Sequence, residues 1–99
     1  MQRSQSFEEF YSYYLSEHTD RRNRFLHFLG GWLVLAVCVL SVVAGAWVLL
    51  YVPIVGYAPA WFGHFAFERN KPATFRNPLW SLIAFWLMFW QMLVGRLAM

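Results

Sequence analysis

From Phe25 to Phe67 the chain runs for 43 residues without one Asp, Glu, Lys or Arg. As a single helix this run would be about 65 Å long, at about 1.5 Å per residue. The hydrocarbon core of a bilayer is only about 30 Å thick, so the run reads as two spans folded back on each other. Its midpoint is residue 46, inside Val43-Ala44-Gly45-Ala46-Trp47. Small residues with a glycine suit a turn, and a tryptophan suits the membrane interface. The expected spans are 25–43 and 46–67. The second contains Pro53, Gly56 and Pro59 and is expected to be kinked or interrupted.

Composition agrees with lipid as the solvent. The chain is 60% hydrophobic and 13% charged, against about 25% charged in a soluble domain. Disorder is excluded because it requires low hydrophobicity. A disulfide scaffold is excluded because Cys38 is the sole cysteine. A third uncharged run follows Pro78 and is closed by Arg96. It is expected to be a third span over 79–96.

The basic residues give an orientation. Arg21, Arg22 and Arg24 precede the first span, and Arg69, Lys71 and Arg76 follow the second. In a hairpin these clusters share one side. With Arg3 they hold seven of the eight basic residues, leaving Arg96 for the opposite side. The positive-inside rule makes the rich side cytoplasmic, in a bacterial inner membrane or an endoplasmic reticulum. No basic face remains for nucleic acid.

Residues 6–18 read as an amphipathic helix. Phe7, Phe10, Tyr11, Tyr14, Leu15 and His18 share one face, and Ser6 with Glu9 forms a capping-box pattern. Such a helix suits the cytoplasmic membrane surface. The expected fold is therefore an all-α membrane bundle, one domain over 1–99, with this helix and three spans.

The chain has three histidines, at positions 18, 27 and 64. His27 lies 19 residues before the midpoint of the hairpin and His64 lies 18 after it. In helices these separations are about 28 and 27 Å, so both imidazoles reach one depth, at the basic end. His18 ends the amphipathic helix a short turn away. Imidazole is the commonest neutral nitrogen ligand for zinc, iron, copper and nickel. Asn23 precedes His27 by four and Glu68 follows His64 by four. Both are placed to accept or support the outer N–H of a ligating imidazole. Gly63 permits close approach of helices. Interfacial histidines making ordinary hydrogen bonds are the plainer reading, and the spacing matches no compact zinc motif. Arg69 and Lys71 suit lipid head groups or a fatty-acid carboxylate. The tryptophans read as belt and packing residues, and Ser81 as an ordinary helix-start residue.

Several strings carry a family resemblance. They are Phe7-Glu-Glu-Phe-Tyr-Ser-Tyr-Tyr-Leu-Ser-Glu-His18, Asn23-Arg-Phe-Leu-His27, Gly63-His64-Phe-Ala-Phe-Glu68-Arg-Asn-Lys-Pro-Ala-Thr-Phe75 and Pro78-Leu-Trp-Ser-Leu82. They resemble domain-of-unknown-function family 962, which includes a fungal 2-hydroxy fatty acid dioxygenase of phytosphingosine breakdown. The resemblance implies an integral membrane, Fe(II)-dependent dioxygenase. Such an enzyme uses O2 to shorten a 2-hydroxy fatty acid by one carbon. It implies His18, His27 and His64 as iron ligands and Glu68 as a ligand or neighbouring base. The alternatives are a non-catalytic membrane module that binds lipid or a partner, and a haem- or zinc-binding protein.

Overall fold

A computed structural model describes residues 6–72 and 75–98. Arg3 of the basic cluster and Ala73-Thr74 of the motif lie outside the described residues. The described chain is all helical. Helix α1 is Phe7–Ser16, α2 is Arg21–Ala44, α3 is Val52–Gly63 and α4 is Pro78–Leu93. A 3₁₀ segment, Ala46–Tyr51, leads into α3, and a π segment, His64–Glu68, leads out of it.

The hairpin turns at Gly45, whose φ of 112° is open to glycine and strained for other residues. Beyond it the Trp47 indole N–H donates to Ala44 O at 3.0 Å and covers the end of α2. The returning strand of helix, Ala46–Glu68, is continuous but changes pitch twice. Pro53 is tolerated because it falls at the start of α3, where the helix needs no N–H. The expected interruption therefore takes the form of a 3₁₀-to-α-to-π succession.

Both arms, Arg21–Ala44 and Ala46–Glu68, are long and apolar enough to cross a membrane. Their outer surfaces are bare hydrocarbon. Val39 is 72% exposed, Val42 and Val43 83%, and Leu50 77%. A soluble core helix would bury such residues. The long axis of the molecule, 44 Å, matches a bilayer with its head groups, about 40–45 Å.

The third span is not found among the described residues. Helix α4 has 16 residues, about 24 Å at about 1.5 Å per residue, short of the hydrocarbon thickness. Both of its flanks are also tied to the histidine end. Before it, Arg76 Nη1 donates to the Tyr13 hydroxyl at 2.5 Å. After it, Ala98 O accepts from Arg24 Nη1 at 2.8 Å. That tie draws Arg96, two residues earlier, toward the basic cluster and away from the opposite side where it was expected.

The expected amphipathic helix packs its apolar face on α4. Phe10 and Tyr14 of α1 are buried with Ala84, Met88 and Met92 of α4. The Trp80 ring meets Phe7 and Phe10 edge-on at 5.9 and 5.6 Å. The apolar face of α1 is thus covered in large part by α4. Helix α1 starts as the capping pattern requires, with Ser6 Oγ accepting from Glu9 N–H. It ends at Ser16, two residues short of His18.

Candidate metal centre

The three histidines converge. His18 comes from the loop between α1 and α2, His27 from the second turn of α2, and His64 from the start of the π segment. All are buried, at 0%, 3% and 1% exposure. His18 Nε2 lies 3.1 Å from His27 Nε2 and 2.8 Å from His64 Nε2. The three ring planes are nearly perpendicular to one another, at 80° to 87°.

The outer ring nitrogens fix the tautomers. His18 Nδ1 faces Tyr14 O at 2.5 Å, and His27 Nδ1 faces Asn23 O at 2.9 Å. A carbonyl only accepts, so each Nδ1 must donate. His64 Nδ1 lies 2.7 Å from Asn70 Oδ1. The Asn70 amide Nδ2 is committed to Glu17 O and Oε1, so here too Nδ1 donates. A neutral imidazole with a protonated Nδ1 offers only a lone pair at Nε2. Three lone pairs therefore face one point with no hydrogen among them.

A cation answers that arrangement. A proton is a poor candidate at His18, because burial pushes this imidazole well below its ordinary range and the neighbouring His27 and His64 push it further. A metal ion fits: three neutral nitrogens of three outer-bonded imidazoles are the usual donor set for a transition metal. The three donor atoms all lie within 4.8 Å of one another. At a metal–nitrogen distance of about 2.1 Å, ligands at right angles stand about 3.0 Å apart, and tetrahedral ones about 3.4 Å. The separations of 2.8 and 3.1 Å are closer to the right-angled set.

Glu68 does not join the nitrogen cluster. Its carboxylate accepts from Asp20 N–H at 2.6 Å, Thr19 Oγ1–H at 3.2 Å and Asn23 Nδ2–H at 3.2 Å. It thereby ties the returning arm to the loop that carries His18 and to the first turn of α2. Asn23 is fully buried, and its backbone carbonyl holds His27. It packs on Gly63, where a Cβ would stand 2.1 Å from Asn23 Oδ1. The glycine is required for this close approach. Arg24 Nε donates to His18 O, fixing the same loop from below.

Asn70 carries no periodic signal in the sequence. It reaches His64 because the π turn ends at Arg69 in the left-handed region, φ 58°, and the chain doubles back. Asn70 N–H then donates to His64 O at 3.1 Å. Arg69 and Lys71 are exposed on this bend and do not meet the histidines.

The centre opens into a cavity of about 410 Å³ between α2, α3 and α4. His18, His27, His64 and Tyr14 form its head. Val34, Val52 and Pro53 line it toward the hairpin turn, and Leu82, Phe85 and Trp86 of α4 wall it in front. A mostly apolar slot with a few convergent polar groups is the usual form of a small-molecule site.

No curated protein and no solved structure matched this chain. A family model did match, described as 2-hydroxy-palmitic acid dioxygenase Mpo1-like, over residues 4–97. With nearly the whole length covered, and the motif histidines gathered at one buried point, the chain belongs to the 2-hydroxy-palmitic acid dioxygenase Mpo1-like family.

Proposed function

We propose that this protein is a membrane-embedded, iron(II)-dependent dioxygenase that shortens 2-hydroxy fatty acids by one carbon. The observation that carries this reading is the set of three inward Nε2 lone pairs at the head of an apolar cavity. His18, His27 and His64 would hold the iron. Iron with open positions would supply dioxygen activation and chelation of the substrate hydroxyl and carboxylate. Three facial ligands leave such positions, whereas a porphyrin would need its own four nitrogens where these histidines already meet. Haem is therefore the poorer match, and zinc would lack the redox chemistry.

The remaining residues orient and enclose. Tyr14 O, Asn23 O and Asn70 Oδ1 hold the imidazoles in the ligating tautomer. Glu68 and Asn23 keep the loop, α2 and the returning arm in register, and no proton transfer is assigned to Glu68. The acyl tail would lie along α3 from His64 toward Val52, a path of about 18 Å at about 1.5 Å per residue. The apolar walls exclude water from the reacting carbons. Arg69 and Lys71, exposed at this end, suit lipid phosphate or an arriving carboxylate. With the other basic residues they favour a cytoplasmic side for the histidine end. The net change joins one O2 to the 2-hydroxy acid and releases the shorter acid, carbon dioxide and water, so atoms balance without another reductant.

The test uses the detergent-purified full chain, loaded with Fe(II) and given 2-hydroxyhexadecanoate under air. Pentadecanoate is expected by mass spectrometry, together with uptake of O2, and neither is expected from the zinc-loaded protein. Stoichiometric iron without turnover would leave a non-catalytic metal module.

A further inference from the structure

The returning arm presents a graded row to the cavity. His64, Ala60, Gly56 and Val52 stand four residues apart and all line it, and residues at this spacing share one side of a helix. From the centre outward the row holds an imidazole, a methyl group, a bare hydrogen and then the first branched side chain. A trough thus runs from the histidines to Val52, about 18 Å at about 1.5 Å per residue. Among the described residues no Asp, Glu, Lys or Arg lines the cavity.

Gly56 differs from the glycines that serve helix contact alone. A Cβ at Gly31 would stand within 3.2 Å of three Phe89 atoms, and one at Gly63 within 3.2 Å of three Asn23 atoms. A Cβ at Gly56 would meet Val34 Cγ2 of α2 at 3.0 Å and no other atom within 4 Å. Val34 and Gly56 both line the cavity, so the open side of position 56 is cavity space. The arms are already close at this level, since a Cβ at Gly30 would stand 3.0 Å from Gly56 O. A larger side chain at 56 therefore displaces Val34 or fills the trough. A hydrocarbon chain converts these positions into lengths. C–C bonds of about 1.5 Å at about 111° advance about 1.25 Å per carbon when extended. With its head at the histidines, a chain reaches Gly56, about 12 Å away, at about its tenth carbon, and Val52 at about its fourteenth.

The geometry points to Ala60, Gly56 and Val52 as the row that measures acyl-chain length, selecting unbranched long-chain fatty acids. The hydrogen at 56 lets a chain of more than about ten carbons pass, and Val52 meets the last carbons of a long one. This rests on the proposed fatty-acid reading and adds to it which acids the cavity takes and which residues decide. A short acid leaves the far part of the trough unfilled, and a branched one meets Val34 beside Gly56.

The test is equilibrium dialysis of octanoate, dodecanoate and hexadecanoate against the detergent-purified full chain, with metal content measured in parallel. Uptake by detergent is common to every protein, so the ratio of variant to parent is read at each length. Gly56→Val is expected to weaken dodecanoate and hexadecanoate about tenfold or more, the cost of overfilling an occupied space, and to keep octanoate within about threefold of the parent. Val52→Phe is expected to weaken hexadecanoate alone. Metal content should stay at the parent level in both. Val52 is only half-buried, so Val52→Phe carries the test if Gly56→Val does not fold. Equal loss at all three lengths, which marks general damage, overturns the assignment. So does no loss at any length, and so does a parent that binds none of the acids. A parent and variants that follow this length pattern but turn over no 2-hydroxy acid sink the dioxygenase reading and leave the chain-length compartment standing. Normal turnover with no length dependence in either variant does the reverse.

Discussion

The two ends of the hairpin are built by opposite rules. At the turn end, around Gly45, valines and leucines are exposed and order comes from the helices themselves. At the histidine end, three segments distant in sequence are tied by side-chain hydrogen bonds to one buried point. The turn end can exchange one apolar side chain for another, because its exposed apolar side chains make no directional contact. The histidine end cannot, because each imidazole is aimed by a specific acceptor. Apolar composition sets the first region and directional geometry sets the second.

Substitution of a ligand should break the contrast most sharply. His18→Ala, His27→Ala and His64→Ala should each lower metal affinity by more than about 100-fold, beyond the range of a lost supporting hydrogen bond. Val43→Ala at the turn end should leave metal content at the parent level. Elemental analysis after dialysis reads both, and retained metal in any histidine variant contradicts the shared centre.

A charge on the bare surface should hurt only the membrane. Val39→Arg should make insertion less favourable by about 2.5–3.5 kcal/mol, near the scale for arginine deep in a span. Metal binding in detergent should not change. If Val39→Arg instead raised yield in the aqueous fraction with no loss of membrane protein, the lipid-facing reading of α2 would be wrong.

Removing an aiming group should have a smaller effect than removing a ligand. Asn70→Ala should weaken metal binding about 10- to 100-fold, and Asn70→Asp, which retains an acceptor for His64 Nδ1, should recover most of it. An Asn70→Ala protein with parent affinity would show that the bond to His64 is incidental.

The smallest effect is expected from acid, and only on the metal-free protein. Burial, then the His27 and His64 rings, hold the His18 imidazole well below its usual 6.5 in the folded state. The unfolded chain takes up a proton at His18 near that value while the folded chain resists. Stability should therefore be fully present above about pH 6.5 and should fall as pH drops below it. Thermal melts between pH 8 and pH 5 check the sign, and a melting temperature that rises toward pH 5 contradicts it.

Much of this was legible in the residues. The turn at Gly45 followed from halving an uncharged run, since only one fold-back keeps 43 residues within a bilayer. Equal counts from that turn put His27 and His64 at one depth, because both arms are helical throughout. Helix α4 was misread because the 17 uncharged residues Leu79–Gly95 satisfy the criterion for a span whether lipid or another helix covers them. Its pairing with α1 decided the matter, and that pairing depends on how Phe10 and Tyr14 fit Ala84, Met88 and Met92. Asn70 was passed over for a related reason. An amide after a helix is commonplace until a fold turns it onto a histidine.

The sequence by itself determined two arms long and apolar enough to cross a membrane, the hairpin they form and the level at which its histidines stand. Those properties follow from length, charge placement and helical rise, which are sums along the chain. Only the tertiary structure decided which nitrogen of each histidine turns inward and what aims it. Those depend on a π turn, a left-handed Arg69 and a glycine-sized gap at Gly63, local departures from regular helix that no periodicity encodes.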